Sequence, residues 1–182
     1  MTIPASTQVR LIENGDSLEA LTTLLHRAYA PLAAMGFRYQ ASYQDVETTR
    51  QRIAKGECYL MLQGDRIVAT ILLIPPSAQA FYCAWYNRQD VAELSQFAVE
   101  PGLQRLGLGG QLLAMAERRA SELGAAEVAL DTAEGAAHLT KFYRAQGYRE
   151  VGYEQWDHAN YRSVIFSKQL KAPGIGPTPV RS

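Results

Sequence analysis

A glycine-rich turn between a predicted strand and a predicted helix most constrains what this chain can fold into. Residues 93–99 form a short apolar run typical of a strand, and residues 104–110 follow with the sequence QRLGLGG. Apolar residues then recur at helical spacing from Leu108 to Leu123, and Gly124 ends the helix. This order directs unpaired backbone N–H groups and the positive end of the helix dipole toward one concavity. Such a concavity suits a phosphate or pyrophosphate group, which glycine allows the backbone to approach closely.

Two common phosphate-binding loops are excluded by the residues that follow the glycines. A Walker A loop requires Lys and then Ser or Thr after its last glycine, but Leu108 and Gly109 follow Gly107. A dinucleotide-binding fingerprint that begins at Gly107 requires Gly or Ala at position 112, where this chain has Leu112. The turn therefore predicts an anion site of a third kind, with the spacing Q-x-x-G-x-G from Gln104.

That spacing resembles the pyrophosphate loop of the GCN5-related N-acetyltransferases, which bind acetyl-CoA. The resemblance extends to the preceding strand, which begins at Glu93 and ends in Ala-Val shortly before Pro101. It extends also to a helix with the family's pattern Phe-Tyr-x-x-x-Gly-Phe/Tyr, which is FYRAQGY at residues 142–148. The matching segments occur in the family's order between residues 93 and 168. The chain departs from the pattern at Ala136, where many members have Asn near the start of that helix.

The remaining secondary structure is predicted from periodicity, capping boxes and turn residues. The predicted strands are residues 9–12, 58–63, 66–74, 93–99, 127–131, 148–156 and 161–169. The predicted helices are residues 18–31, which end at Pro31, then 42–56, opened by a capping box at Ser42, then 108–123 and 136–146. Residues 77–90 are ambiguous. This order predicts an α/β fold with a mixed, mostly antiparallel sheet flanked by helices, and one parallel β-α-β unit that contains the glycine-rich turn. The resemblance implies the same fold.

Length and composition set the broad class of protein. A chain of 182 residues predicts one domain over residues 1–170, and the Pro- and Gly-rich residues 171–182 are predicted to be a disordered tail. The formal net charge is zero and the basic residues are dispersed, so we expect no nucleic-acid or membrane surface. Cys58 and Cys83 lack metal-ligand spacing and fit reduced thiols, so we expect no metal. Without a signal peptide or spanning segment, a cytoplasmic location is expected.

The resemblance implies acetyl transfer from acetyl-CoA, as co-substrate, to an amine by direct transfer in a ternary complex. Glu93 is the candidate general base, since it matches a glutamate that several members use, and it could act through a water. An apolar pocket would raise its pKa usefully. The alternative is an exposed glutamate at the start of a strand. His138 is a rival base, and Glu100 is expected to be solvated at the loop.

Tyr143 is the candidate general acid, because the matching tyrosine of the family lies near the CoA sulfur and can protonate the thiolate. The alternative is a core aromatic residue with a satisfied hydroxyl. The resemblance also implies that strand 93–99 separates from its neighbour, so that backbone N–H groups near Phe97, Ala98 and Val99 contact the pantetheine arm and polarise the carbonyl. The pyrophosphate is expected at Gln104, Arg105, Leu106, Gly107, Leu108, Gly109 and Gly110.

The acceptor is expected to be a primary amine of a small molecule with an apolar portion. The aromatic residues outside the cofactor motifs could border its pocket, or could be core or dimer contacts; they are Phe37, Tyr39, Tyr82, Trp85, Tyr86, Trp156 and Tyr161. One alternative is a transferase that acts on a protein N-terminus or lysine. Another is a non-catalytic acyl-CoA-binding regulatory module. The sequence leaves homodimer formation open.

Overall fold

The computed structural model describes residues 7–76 and 83–171, and these ranges form a seven-stranded sheet with helices on both faces. The strands are β1 (Thr7–Leu11), β2 (Glu57–Gln63), β3 (Arg66–Ile74), β4 (Val91–Val99), β5 (Glu127–Ala133), β6 (Arg149–Glu154) and β7 (Ser163–Gln169). The helices are α1 (Leu18–Ala34), α2 (Val46–Ile53), α3 (Leu108–Glu122) and α4 (Ala137–Ala145), with short 3₁₀ turns at Gln40–Ser42 and Pro101–Leu103.

The sheet has the strand order β1-β2-β3-β4-β5-β7-β6. All neighbouring strands are antiparallel except β4 and β5, which are parallel and are connected through α3. The predicted fold class is therefore confirmed, including the single parallel β-α-β unit. The hairpin predicted between residues 63 and 66 is also present, and its turn residue Gly64 has the positive φ of 61° that favours glycine.

Each face of the sheet buries its own set of apolar side chains. The face covered by α3 and α4 buries, among others, Val68, Ile71, Leu73, Leu112, Leu113, Tyr143 and Phe166. The face covered by α1 and α2 buries, among others, Leu21, Leu24, Leu25, Leu60, Leu72 and Ile74. Each fully buried leucine stabilises the fold by roughly 1.5–3 kcal/mol. β4 and β5 lie in the middle of the sheet, between the two sets of helices.

The first helix passes through Pro31 rather than ending there. Pro31 lacks the N–H that would bond the carbonyl one turn earlier, and its ring crowds that carbonyl. The next residue, Leu32, is buried in a cluster with Tyr39 and Ala133, and this packing favours the extra turn. The helix therefore extends to Ala34, three residues beyond its predicted end.

The second helix begins later and ends earlier than its sequence predicts. Ser42 does not cap it, because its hydroxyl donates to the Tyr39 carbonyl at 2.6 Å. Asp45 is the N-cap, and it accepts a hydrogen bond from the Thr48 N–H at 2.7 Å. Gly56 follows the helix rather than ending it. A Cβ there would lie 2.1 Å from the Leu73 carbonyl oxygen, so a close backbone approach requires this glycine.

The observed bounds of several other elements differ from the predicted ones. β5 continues two residues beyond the predicted end, and β6 and β7 are each shorter than predicted. Residues 77–82, with Tyr82, lie outside the described residues, as does the predicted tail from 172 onward. Within the described ranges, no helix is long and apolar enough to span a bilayer.

Candidate active site

A bulge in β4 places several polar side chains on one face of the sheet. Ser95 pairs with Leu72 and Ala98 pairs with Thr70, so two residues of β4, Gln96 and Phe97, lie opposite one residue of β3. Gln96 has a positive φ of 47°, which is rare outside glycine. Because the extra residue shifts the alternation, the side chains on both sides of the bulge, at Ser95, Gln96 and Ala98, face α1 and α2.

The sheet opens between its two parallel strands. β4 and β5 pair only from Val91 to Glu93, opposite Glu127 to Ala129, although both strands continue beyond this point. The remainder of β4 pairs with β3 alone. The separation implied by the family resemblance is therefore present, and it leaves one edge of β4 without a partner strand.

The backbone groups at this open edge can be assigned from strand alternation. The Glu100 N–H donates to the Val68 carbonyl on β3 at 2.8 Å, so the N–H groups of Val99 and Phe97 face the opening. The carbonyls of the same two residues face it too. Tyr29 donates its hydroxyl to the Phe97 carbonyl at 3.1 Å, and the Gln104 side chain donates to the Val99 carbonyl at 3.2 Å.

Ala98 has the opposite orientation. It alternates with Phe97 and Val99, so its N–H faces Thr70 on β3 and its side chain is buried against α1. Of the three predicted backbone contacts in β4, two therefore have N–H groups directed into the opening.

The glycine-rich turn presents a row of free backbone donors. Arg105 and Gly107 have positive φ angles of 65° and 82°, and Gly107 is the N-cap of α3 without a side-chain cap. The first bond of the helix is from the Gln111 N–H to the Gly107 carbonyl, at 3.1 Å. Within the described ranges, none of the backbone N–H groups from Arg105 to Gly110 has an acceptor in the protein. The turn is exposed at residues 104–107, so an anion can reach these donors.

The remaining glycines of the turn allow close packing around it. A Cβ on Gly109 would lie 3.3 Å from the Phe97 ring, so this glycine lets α3 approach β4 tightly. A Cβ on Gly110 would lie 3.8 Å from the side-chain oxygen of Gln146. Leu106 is exposed, and Leu108 is partly buried against the core on the α3 face.

Glu100 is not the solvated residue that the sequence predicts. Its carboxylate is buried and accepts from Arg27 at 2.7 Å and from Arg66 at 3.1 Å. These guanidinium groups, Arg27 first, hold the pKa of Glu100 below its usual value. The residue therefore anchors the start of the turn to α1 and β3.

Glu93 is the last residue of β4 that pairs with β5, so it lies where the opening begins. It is half-buried, and burial together with the negative charge of Asp131 raises its pKa from 4.5 to about 7. The positive charges of Arg52 and Lys55 oppose this shift. A carboxylate with a pKa near neutrality is suited to accept a proton. The rival base, His138, is exposed on the first turn of α4.

Tyr143 packs from α4 against three aromatic rings, Phe142, Tyr148 and Phe166. Burial raises its pKa well above 10, and the charges of Tyr29, Tyr39 and Asp131 add to the shift. No residue of the described ranges shares a hydrogen bond with the Tyr143 hydroxyl, and its oxygen is not one of the enclosed unpaired atoms. The ring is part of the buried core, as the alternative expects, but its hydroxyl is not satisfied by a described residue.

Asp131 projects from β5 on the far side of the opening. It accepts hydrogen bonds from the Tyr86 hydroxyl at 3.0 Å and from the Trp156 indole N–H at 2.9 Å. The two aromatic rings are stacked, with centroids 6.2 Å apart. A second carboxylate is therefore fixed near Glu93.

Arg52 reaches the same region from α2 and is held by neutral partners. Its guanidinium donates to the Gln44 side-chain oxygen at 2.7 Å and to the Ser95 hydroxyl at 3.1 Å. The Gln44 amide in turn donates to Thr49 at 2.7 Å and to Gln96 at 2.9 Å. Burial lowers the pKa of Arg52, and the charge of Glu93 partly offsets this effect.

An aromatic wall lies beside these groups. Tyr29 contacts Tyr39 at a centroid distance of 5.3 Å, and Tyr161 contacts both Tyr39 at 4.7 Å and Phe37 at 5.8 Å. Trp85 is not part of this wall, because it lies against the guanidinium groups of two arginines. The predicted aromatic residues are thus divided between the wall, the Asp131 partners and a separate packing site.

Comparison with known sequences decides the family. The sequence model described as "Acetyltransferase (GNAT) family" matches residues 18–148. The chain belongs to this family. The match covers α1 through the tyrosine helix, and with it Glu93, the glycine-rich turn and Tyr143.

Individual relatives agree with this assignment. The GNAT chain is 31% identical over 158 residues to the S-(2-succino)cysteine N-acetyltransferase of Bacillus subtilis (strain 168), which covers 84% of this chain and 90% of that protein. The ribosomal-protein-S18-alanine N-acetyltransferase of Escherichia coli has the same fold, with a TM-score of 0.66, 19% identity, and coverage of 93% of this chain and 97% of that one. A GNAT acetyltransferase of Elizabethkingia anophelis, whose structure has acetyl-CoA bound, has a TM-score of 0.64, 16% identity, and coverage of 90% and 98%.

Two side chains of this GNAT site were missed by the sequence analysis. Asp131 is the one charged residue in the run 128–133, which is otherwise mostly apolar. A charged residue in a core strand is unusual, and this could have marked Asp131 as a functional residue. Arg52 resembles any surface arginine of a short helix, so only the tertiary structure reveals its partners. Within the described ranges, no group of three or more His, Cys, Asp or Glu residues could hold a metal ion.

Proposed function

We propose that the protein is an N-acetyltransferase that moves an acetyl group from acetyl-CoA to the primary amine of a small molecule, by direct transfer in a ternary complex. The observation that carries this proposal is the opening between β4 and β5. Glu93 lies where this opening begins, two N–H groups of β4 face into it, and a turn with free backbone donors follows the strand. We assign the Tyr143 hydroxyl to the same opening as part of the proposal.

The residues present fit acetyl-CoA as co-substrate. The N–H groups from Arg105 to Gly110 would bind the pyrophosphate, aided by the positive end of the α3 dipole. The side chain of Arg105 is exposed and available to add charge. The free N–H groups of Phe97 and Val99 would bind the pantetheine arm and the thioester oxygen. A donor already aimed at that oxygen would stabilise the negative charge that develops on it.

The reaction forms one C–N bond and breaks one C–S bond. An ammonium group and the thioester give an amide, free CoA thiol and one proton released to solvent. Glu93 accepts the first proton, directly or through a water, so that the nitrogen gains a free electron pair. Because its pKa is about 7, it is largely ionised slightly above neutrality and can still release the proton to solvent.

Tyr143 serves the departing sulfur. Its raised pKa keeps the phenol protonated, so the hydroxyl always has a hydrogen to donate. A thiol has a pKa of around 8.5, well below the pKa of this phenol. Tyr143 therefore donates a hydrogen bond to the sulfur while the C–S bond breaks. The second proton, which the nitrogen loses as the amide forms, converts the thiolate into the free thiol, and Tyr143 can relay it.

A small acceptor is favoured over a protein by the aromatic side chains beside the site. Tyr29, Tyr39 and Tyr161 pack on one another, and Asp131 lies behind two aromatic donors. This arrangement suits a compact ligand with an apolar portion. The similarity to an enzyme named for a modified cysteine supports the same class. A cytoplasmic location and a homodimer stay predictions.

The test combines cofactor binding with turnover. Acetyl-CoA is added to the protein with a panel of amines, amino acids and peptides, and free CoA thiol is measured. We expect release that depends on a small amine and is lost in Glu93→Gln, while CoA still raises the melting temperature of that variant. Release with peptides alone would favour the protein acetyltransferase, and CoA binding without release would favour a regulatory module.

A further inference from the structure

Arg52, which is hydrogen-bonded to neutral side chains, lies next to the proposed acetylation site. Arg52 is half-buried, and within the described ranges no carboxylate forms an ion pair with it. By contrast, Arg50 on the same helix is exposed and pairs with Glu47. The Arg52 guanidinium is hydrogen-bonded to neutral groups rather than to a carboxylate, so it can still pair with an anion that enters the site.

The guanidinium of Arg52 is also fixed in position. An arginine has five N–H donors, and in this site two hydrogen bonds are made, to Gln44 and Ser95. Gln44 uses its own N–H groups on Thr49 and Gln96, which turns its oxygen toward the arginine. This network of neutral groups orients the guanidinium of Arg52 and leaves its other N–H groups available.

The direction of the guanidinium follows from Ser95. Ser95 lies two residues after Glu93 and on the same face of β4, so the two side chains are about 7 Å apart along the strand. The charges of Glu93 and Asp131 both act on Arg52. The site therefore presents carboxylates at one end and a guanidinium at the other.

We propose that the acceptor is an α-amino acid, with its carboxylate bound by Arg52 and its amine placed between Glu93 and Asp131. This inference rests on the proposed function. Arginine matches a carboxylate with two parallel hydrogen bonds, which fixes orientation as well as position. With the carboxylate held, the amine faces the base at the opening of the sheet. The side chain of the amino acid then lies against Tyr29, Tyr39 and Tyr161.

The experiment compares matched acceptors in matched variants. The acceptors are L-amino acids with apolar or thioether side chains, each with its carboxamide and its decarboxylated amine. For the L-methionine set these are L-methioninamide and 3-(methylthio)propylamine. Free CoA release gives kcat/KM for each, corrected for the fraction of free amine, because the amide and the acid differ in amine pKa.

In the wild type we expect kcat/KM for the acid to exceed that for the amide by about 10- to 100-fold, the range for hydrogen bonds to a charged group. Arg52→Met should abolish most of this preference by lowering the rate with the acid alone. Arg52→Lys keeps the charge without the fork, so we expect an intermediate preference from a variant that disturbs folding less. Arg50→Met is the control and should keep the full preference.

Four outcomes would overturn the inference. If the wild type does not prefer the acid, or if Arg52→Met keeps the preference, then Arg52 does not bind a carboxylate, and the proposed function stands because CoA is still released. If Arg52→Met lowers all rates equally and removes the thermal shift with CoA, the arginine serves the co-substrate instead. If no amine of any kind releases CoA, the proposed function is wrong as well.

Discussion

Replacing Glu93 by Gln should cost activity and at the same time stabilise the fold above neutral pH. The pKa of Glu93 is raised from 4.5 to about 7, so the folded protein favours the protonated form. A raised carboxyl pKa gives stability that is complete below pH 4.5 and is lost as the pH rises through 7. At about 1.4 kcal/mol per tenfold change in ionisation, ionised Glu93 costs the fold at most roughly 3 kcal/mol. Gln keeps the shape and removes this cost.

The assay is urea unfolding of wild type and Glu93→Gln at pH 4.5 and pH 8. We expect similar free energies of unfolding at the lower pH, and a more stable variant at the higher pH. Turnover at pH 7 should fall by roughly 10²–10⁴ and recover partly at high pH, where free amine is abundant. Glu47→Gln is a matched control, because its exposed carboxylate interacts with Arg50 and Gln51 of its own helix. Equal stability of wild type and Glu93→Gln at both pH values would refute the burial argument.

Three further predictions concern the glycine-rich turn, Tyr143 and Asp131. CoA at about a hundredfold excess over its dissociation constant should stabilise the wild type by roughly 2.7 kcal/mol. Gly107→Val should lose this gain in a thermal-shift assay, whereas Gly124→Val, with a similar positive φ of 90° at the other end of α3, should keep it. Tyr143→Phe should lower turnover about tenfold to a thousandfold with little change in Tm, since its hydroxyl has no partner among the described residues; full turnover where chemistry is rate-limiting would make it a packing residue. Asp131→Asn should move the acidic limb of the pH–rate profile to lower pH, because its charge raises the pKa of Glu93; an unmoved limb would contradict that coupling.

The parts of the fold that depend on local signals could be predicted from the sequence. The strand, turn and helix from 93 to 123 depend on apolar periodicity and on glycines with special backbone angles, and both are visible in the residues. The hairpin at Gly64 is local in the same sense. The end of α1 is not, because the packing of Leu32 decides whether the helix continues past Pro31.

The candidate site was only partly predictable because it depends on contacts between distant segments. No residue type at this position predicts the bulge at Gln96, which is stabilised by β3 and by a hydrogen bond from Gln44. Glu100 has the same sequence surroundings whether it is solvated or buried. Its ion pairs come from α1 and β3, far along the chain. Arg52 reaches β4 from α2, and Asp131 lies on β5 across the opening, so only the tertiary structure brings both to this region.

The most direct measurement of the proposed reaction is the mass of its product. The protein is incubated with acetyl-CoA carrying a ¹³C-labelled acetyl group and with an amine that supports CoA release, and both products are quantified by mass spectrometry. We expect labelled N-acetylated amine and free CoA in equal amounts, and both to form at least about a hundredfold more slowly with Glu93→Gln at neutral pH. Free CoA without acetylated amine would mean that the protein only hydrolyses the thioester, and would contradict transfer at the opening between β4 and β5.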